Sequence, residues 1–88
     1  MSLTIRLAEA GDQGRCLELL NLLVGVSDNK HETFDAKTFS ELISNTRGSL
    51  VVVEERSDLL GMASISFNLA LRYNGEYCQL EELVVDPR

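Results

Sequence analysis

Residues 59–71 alternate with a period of two. Ala63, Ile65, Phe67, Leu69 and Leu71 fall on one side, and Met62, Ser64, Ser66 and Asn68 on the other. That period belongs to a strand and cannot be satisfied by a helix. Asn74-Gly75 follows, the pair of residues that most readily enters the left-handed conformation a tight hairpin needs. Residues 77–85 then read as the returning strand. The last third of the chain is therefore expected to fold as one long antiparallel hairpin, and the rest must pack around it.

Ahead of the hairpin, residues 3–8 alternate, with Leu3, Ile5 and Leu7 opposite Thr4 and Arg6, and read as a short strand. Glu9-Ala10-Gly11-Asp12 opens a helix, its carboxylates suited to the positive end of the helix dipole. Cys16, Leu19, Leu20 and Leu23 recur at helical spacing as a buried stripe. Leu17, Leu22 and Val24 widen it, and Gly25 marks the helix end. Residues 26–33 form a polar loop that carries His31, the only histidine. A second helix starts at the N-cap Asp35, with Phe34 and Phe39 placed as a hydrophobic staple. Phe39, Leu42 and Ile43 face inward, and Gly48 is the expected left-handed stop. Residues 49–55 hold Val51-Val52-Val53 and read as a buried strand, with Arg56-Ser57-Asp58 turning the chain into the hairpin.

The resulting order is β-α-α-β-β-β. It predicts an α+β domain in which the last three strands form an antiparallel meander and the two helices pack on one face. The final strand then lies at the edge with nothing beyond it, and one face of the sheet lacks a covering layer. Such an edge invites pairing with another chain, including a second copy of this one.

Eighty-eight residues bound the chain to a single domain. Its formal charge of −6 repels a phosphate backbone and favours an amine-bearing partner over nucleic acid. Cys16 and Cys78 lie far apart, without metal-ligand spacing, and read as two buried reduced thiols of an intracellular protein. The first residues lack the basic start and apolar block of a signal peptide. No apolar run is long enough to span a membrane. A cytoplasmic location is expected.

The chain's last residues, Glu81-Glu82-Leu83-Val84-Val85-Asp86-Pro87-Arg88, resemble the fourth strand of the GNAT family, the acyl-CoA-dependent N-acetyltransferases. In that family a strand of roughly this pattern runs into a glycine-rich loop that holds the coenzyme's pyrophosphate. Arg6-Leu7-Ala8 followed by Asp12 looks like the family's opening segment, and Gly61 falls where members often carry glycine in the third strand. The resemblance covers essentially the whole chain and about half of a family domain. It implies the N-terminal half of the acyl-CoA N-acyltransferase fold, and acetyl transfer from acetyl-CoA to a small-molecule amine or a peptide amino group.

The resemblance also implies where the chemistry sits. The fourth-strand backbone at Leu83, Val84 and Val85 would border the pantetheine arm, with the Leu83 N–H as donor to the acetyl oxygen. Glu81 falls where sugar-amine and polyamine acetyltransferases place a carboxylate base. Histone-type members place theirs two residues earlier, where this chain has Gln79. Strand alternation puts Glu81 and Glu82 on opposite faces, so only one can enter a given pocket. Solvent exposure, or pairing with Arg72, would account for either without a function. Ser64, Ser66 and Asn68 form a polar row that could line an acceptor groove or lie beneath the family domain's other half. The six glycines are scattered and build no phosphate nest. These 88 residues alone are therefore expected to bind acetyl-CoA weakly and to be inactive. The alternative is a truncated, non-catalytic module that dimerises through its last strand.

Overall fold

The computed structural model describes residues 2–25 and 36–87. The polar loop with His31, the Asp35 cap and the Phe34 half of the staple lie outside the described residues. The elements are β1 (Thr4–Leu7), a 3-10 turn (Ala10–Asp12), α1 (Gln13–Gly25), α2 (Ala36–Ile43), β2 (Gly48–Glu55), β3 (Asp58–Ala70), a second 3-10 turn (Leu71–Tyr73) and β4 (Gly75–Val85). The strands form one antiparallel sheet in the order β1-β2-β3-β4, so β4 is an edge. The α+β order and the meander are those expected from the sequence.

Both helices pack on the same face. Leu50, Val52, Met62 and Val84 rise from the sheet to meet Cys16 and Leu19 of α1 and Phe39 of α2. Leu42 and Ile43 pack beside Phe39, as the helical spacing predicts. Leu23 was expected in the α1 stripe but is exposed, together with Leu22. The core under α1 reaches only Cys16, Leu19 and Leu20, and the last turn of the helix lies beyond it.

The turns differ from the sequence reading in instructive ways. Asn45, at φ 61°, takes the left-handed conformation after α2. Gly48 instead begins β2, where an added Cβ would run into the Ile65 carbonyl and come within 2.9 Å of Leu42. It is a close-approach glycine, not a helix stop. Arg56 and Ser57 both have positive φ, 54° and 70°, inside the closing pair Glu55–Asp58. This is a type I′ turn made without glycine, so its local strain must be offset by the strands it joins. At the far hairpin, Asn74 is left-handed at φ 56° and Gly75 opens β4. Leu71, expected in the strand, lies in the 3-10 turn and is exposed. Tyr73 and Tyr77 pack edge to face at 5.0 Å.

The second face of the sheet carries an apolar row on every strand. Ile5, Leu7, Leu69, Leu80, Leu83 and Val85 are all more than half exposed on it or at its rim. No described element covers this face, which matches the sequence expectation. Cys78 pairs across from Phe67 on this side and is exposed, so the expectation of two buried thiols fails for it. Apolar patches this continuous are uncommon on monomer surfaces and usually mark an interface.

Polar ties fix α1 over the sheet. Arg6 of β1 reaches Asp12 at 2.8 Å and Glu54 of β2 at 3.0 Å. The Arg-x-Ala…Asp spacing read in the sequence thus has a physical reason: one guanidinium clamps β1, β2 and the start of α1. Asp12 also accepts the Glu9 N–H at 2.7 Å. The hydrogen bond from Arg6 holds the Asp12 carboxyl below its ordinary value of 3.8. Near that pH the unfolded chain therefore binds more protons than the folded one, and stability rises with pH. The contribution is complete above 3.8 and is lost as pH falls through the lowered folded value. Asp12→Asn should cost roughly 2 kcal/mol at pH 7. It should also flatten the acid-side fall in stability, as read from urea denaturation midpoints across the acid range.

Candidate functional site

One extra residue in β4 builds the site. Ser64 pairs with Glu82, but its neighbour Ile65 pairs with Leu80, so Glu81 is left over as a β-bulge. A regular strand would send Glu81 and Glu82 to opposite faces. The bulge instead turns both toward the helix-bearing side. The Ser64 hydroxyl donates to Glu82 Oε1, and the Ser66 hydroxyl donates to Glu81 Oε2 at 2.6 Å. Asn68 extends the row by donating to Ser66 Oγ at 2.9 Å. The expectation that the two carboxylates lie on opposite faces is thus corrected, although only Glu82 lines the cleft between α1, α2 and the sheet. The polar row on β3 lies on the helix-bearing side rather than on the bare face, and of it only Ser64 lines the cleft. Arg72 pairs with neither Glu: its guanidinium lies 4.7 Å from the centre of the Tyr73 ring and 5.9 Å from that of Tyr77.

The two carboxylates sit differently. Glu81 is exposed, whereas Glu82 is half-buried and forms part of the wall of a cleft of about 290 Å³ between α1, α2 and the sheet. Most of that wall is apolar, including Leu17, Leu20, Phe39, Leu42 and Met62. Ser64, buried to 3 % exposure, lies beneath Glu82 and holds it. Cys16 also borders the cleft, and burial pushes its thiol up to about 11, so it stays neutral and unreactive at physiological pH. The sequence reading missed Glu82 and the cleft. A Ser-x-Ser row facing a Glu-Glu pair was the available signal, but it could be read only with the bulge in place.

Leu83, Val84 and Val85 follow the bulge. The Asp86 N–H donates to the Leu60 carbonyl at 2.7 Å. Hydrogen-bonding direction alternates along a strand. Val84 therefore turns its peptide groups toward β3, while the N–H groups of Leu83 and Val85 point off the sheet edge. Val84 also buries its side chain, whereas Leu83 and Val85 lay theirs on the bare apolar face. Gly61 keeps β3 and β4 close, because a Cβ there would stand 2.8 Å from the Val84 carbonyl oxygen. The end of the strand is tied back to α1, since Arg15 donates to Asp86 at 2.7 Å and to the Leu59 carbonyl at 3.0 Å. The Asp86 side chain is only 9 % exposed, so this tie is well shielded.

For an acyl-CoA ligand, the residues present fit one end only. The outward N–H groups and apolar surface at β4 suit a thioester and its pantetheine arm. The five glycines among the described residues whose surroundings are resolved, Gly11, Gly14, Gly48, Gly61 and Gly75, are dispersed and cradle no pyrophosphate.

No protein-family model matches the sequence, and neither does any curated protein. Solved structures do match the fold. A possible acetyltransferase from Clostridium difficile 630 superposes with a TM-score of 0.81 at 18 % identity, over 99 % of this chain and 59 % of its own. Glucosamine-6-phosphate N-acetyltransferase from Arabidopsis thaliana gives 0.72 at 23 %, over 99 % and 62 %. An aminoglycoside acetyltransferase from an uncultured soil metagenomic sample gives 0.74 at 15 %, over 97 % and 57 %. This chain thus spans about three-fifths of the length of the structures it matches.

Proposed function

We propose that this chain, which has the fold of the N-terminal half of a GNAT acetyltransferase domain, is the amine-binding wall of an N-acetyltransferase. The observation that carries the reading is the bulge in β4. It gathers two carboxylates on the side of the cleft and, one residue later, directs a backbone N–H off the strand edge. An amine nucleophile and a polarised carbonyl need those two groups on adjoining sides of one strand. Acetyl-CoA, when bound, supplies the activated acyl group. Leu83 N–H is the donor that steadies the developing oxyanion. Leu83 and Val85 offer the outward backbone along which the pantetheine arm can lie, with Val84 holding the wall in register. Glu81, exposed and steadied by Ser66, takes the proton of the attacking amine, directly or through water. Glu82 holds the ammonium form before transfer. The acceptor is a small-molecule amine or a peptide amino group, met in the cytoplasm.

Protein made from its native coding frame should release free CoA thiol when given acetyl-CoA and a suitable primary amine. Glu81→Gln should lower kcat about 100-fold. Glu82→Gln should act mainly on KM. Absence of thiol release with every primary amine tried would sink the acetyl-transfer reading. The 88 residues alone should give little thermal stabilisation with acetyl-CoA, because the described glycines cradle no pyrophosphate. Micromolar affinity would overturn that statement.

A second reading is favoured by the exposure of Leu80, Leu83 and Val85, at 55 %, 59 % and 64 %. In it the chain is a non-catalytic module that pairs with a second copy through the β4 edge. Light scattering on the 88-residue chain then gives a dimer mass, and a monomer that persists at high concentration removes this reading.

A further inference from the structure

We propose that the acceptor of this site is a primary amine carrying a compact apolar body, which occupies the cleft between α1, α2 and the sheet while its ammonium group meets Glu82. The class of acceptor rests on the acetyl-transfer reading above, but the binding itself does not require acetyl-CoA.

The wall of the cleft sets the choice. Leu17, Leu20, Phe39, Leu42 and Met62 leave a lining that can accept hydrocarbon and little else. A volume of about 290 Å³ takes a body on the order of ten non-hydrogen atoms, against a water molecule's share of about 30 Å³. Among the described residues that line it, Glu82 is the only charged side chain. The Ser64 hydroxyl donates to Glu82 Oε1, and no hydrogen bond to Oε2 is made among the described residues. The ammonium binds as a charge-assisted pair with its apolar part already desolvated.

Other amines fit this arrangement poorly. A polyhydroxylated amino sugar would press its hydroxyls against leucine and phenylalanine, and each unpaired hydroxyl is costly to bury. A polyamine would bring a second or third charge to a lining whose described residues hold one carboxylate, Glu82. A phosphorylated amine would find no lysine or arginine among the described lining residues.

The test is a binding titration without cofactor. Phenethylamine, 2-phenylethanol, glucosamine and spermidine are added separately to the chain labelled with 13C at its methionine methyl groups. Phenethylamine should shift the Met62 methyl resonance and bind at least tenfold more tightly than glucosamine, spermidine or the alcohol. Glu82→Gln, an isosteric change at a half-exposed position, should bring phenethylamine down to the affinity of the alcohol. Leu20→Trp, which fills the cleft, should abolish both, with the amide spectrum reporting whether the fold persists. Equal binding of glucosamine or spermidine would overturn the proposal, as would tight phenethylamine binding by Glu82→Gln or a Met62 resonance that stays still. Thiol release with glucosamine, but not with phenethylamine, would leave acetyl transfer standing and remove this acceptor class.

Discussion

The register of β4 against β3 governs both sides of the sheet, and the surplus residue at Glu81 sets that register. Before it, Leu80 faces the bare side. After it, Leu83 and Val85 do so as well, although an interval of three residues would normally reverse them. The same step lets Glu81 and Glu82 share the helix side with Ser64 and Ser66. A bulge sacrifices one rung of the ladder and adds twist. Here that loss is offset by two hydroxyl–carboxylate hydrogen bonds and by the Arg15–Asp86 tie, which holds the strand's end against α1. Bulge, cleft and edge are therefore one construction.

The two faces of the sheet follow different chemistry. The helix side holds the buried core, with the cleft beside it. Arg6 links three elements through Asp12 and Glu54, and among the described residues no buried side-chain polar atom lacks a partner. The opposite side is an apolar surface spread over four strands. In the matched structures this chain corresponds to about three-fifths of the length, and a covering layer of comparable chemistry would suit the rows at Ile5, Leu83 and Val85. The acetyl-transfer and dimer readings each supply such a cover, one from further polypeptide and one from a second copy.

Much of the fold could be read from local pattern. The alternation in β3, the Asn74-Gly75 turn and the helical spacing of Cys16, Leu19 and Phe39 each reflect a period or dihedral preference that acts over a few residues. The misreadings occurred where distant contacts decide. Gly48 was read as a helix stop because left-handed conformations favour glycine, but its small size serves the approach of Ile65. Leu23 has the spacing of a core residue, yet the core does not extend that far along α1. Cys78 sits in an apolar pattern whose cover is not among the described elements. Above all, a bulge leaves no local signature. Glu81-Glu82 reads as two faces until the pairing partner is known, so the carboxylate that lines the cleft stayed hidden. The assignment of Leu83, Val84 and Val85 to a cofactor wall rests on resemblance alone, and the direction of their peptide groups follows from the bond from Asp86 to Leu60.

The bulge has an asymmetric consequence for sequence drift. A substitution at Glu81 or Glu82 alters one side chain and leaves the threading of β4 intact. Loss of either codon would be a different event. With Asp86 anchored to Arg15 at one end and the Tyr73–Tyr77 corner at the other, the shortened strand could not slide to absorb the gap. It would have to rotate the intervening residues, turning hydrocarbon toward the cleft or carboxylate toward the bare face. This stretch should therefore tolerate replacement far better than deletion, and its length should be inherited more strictly than its spelling.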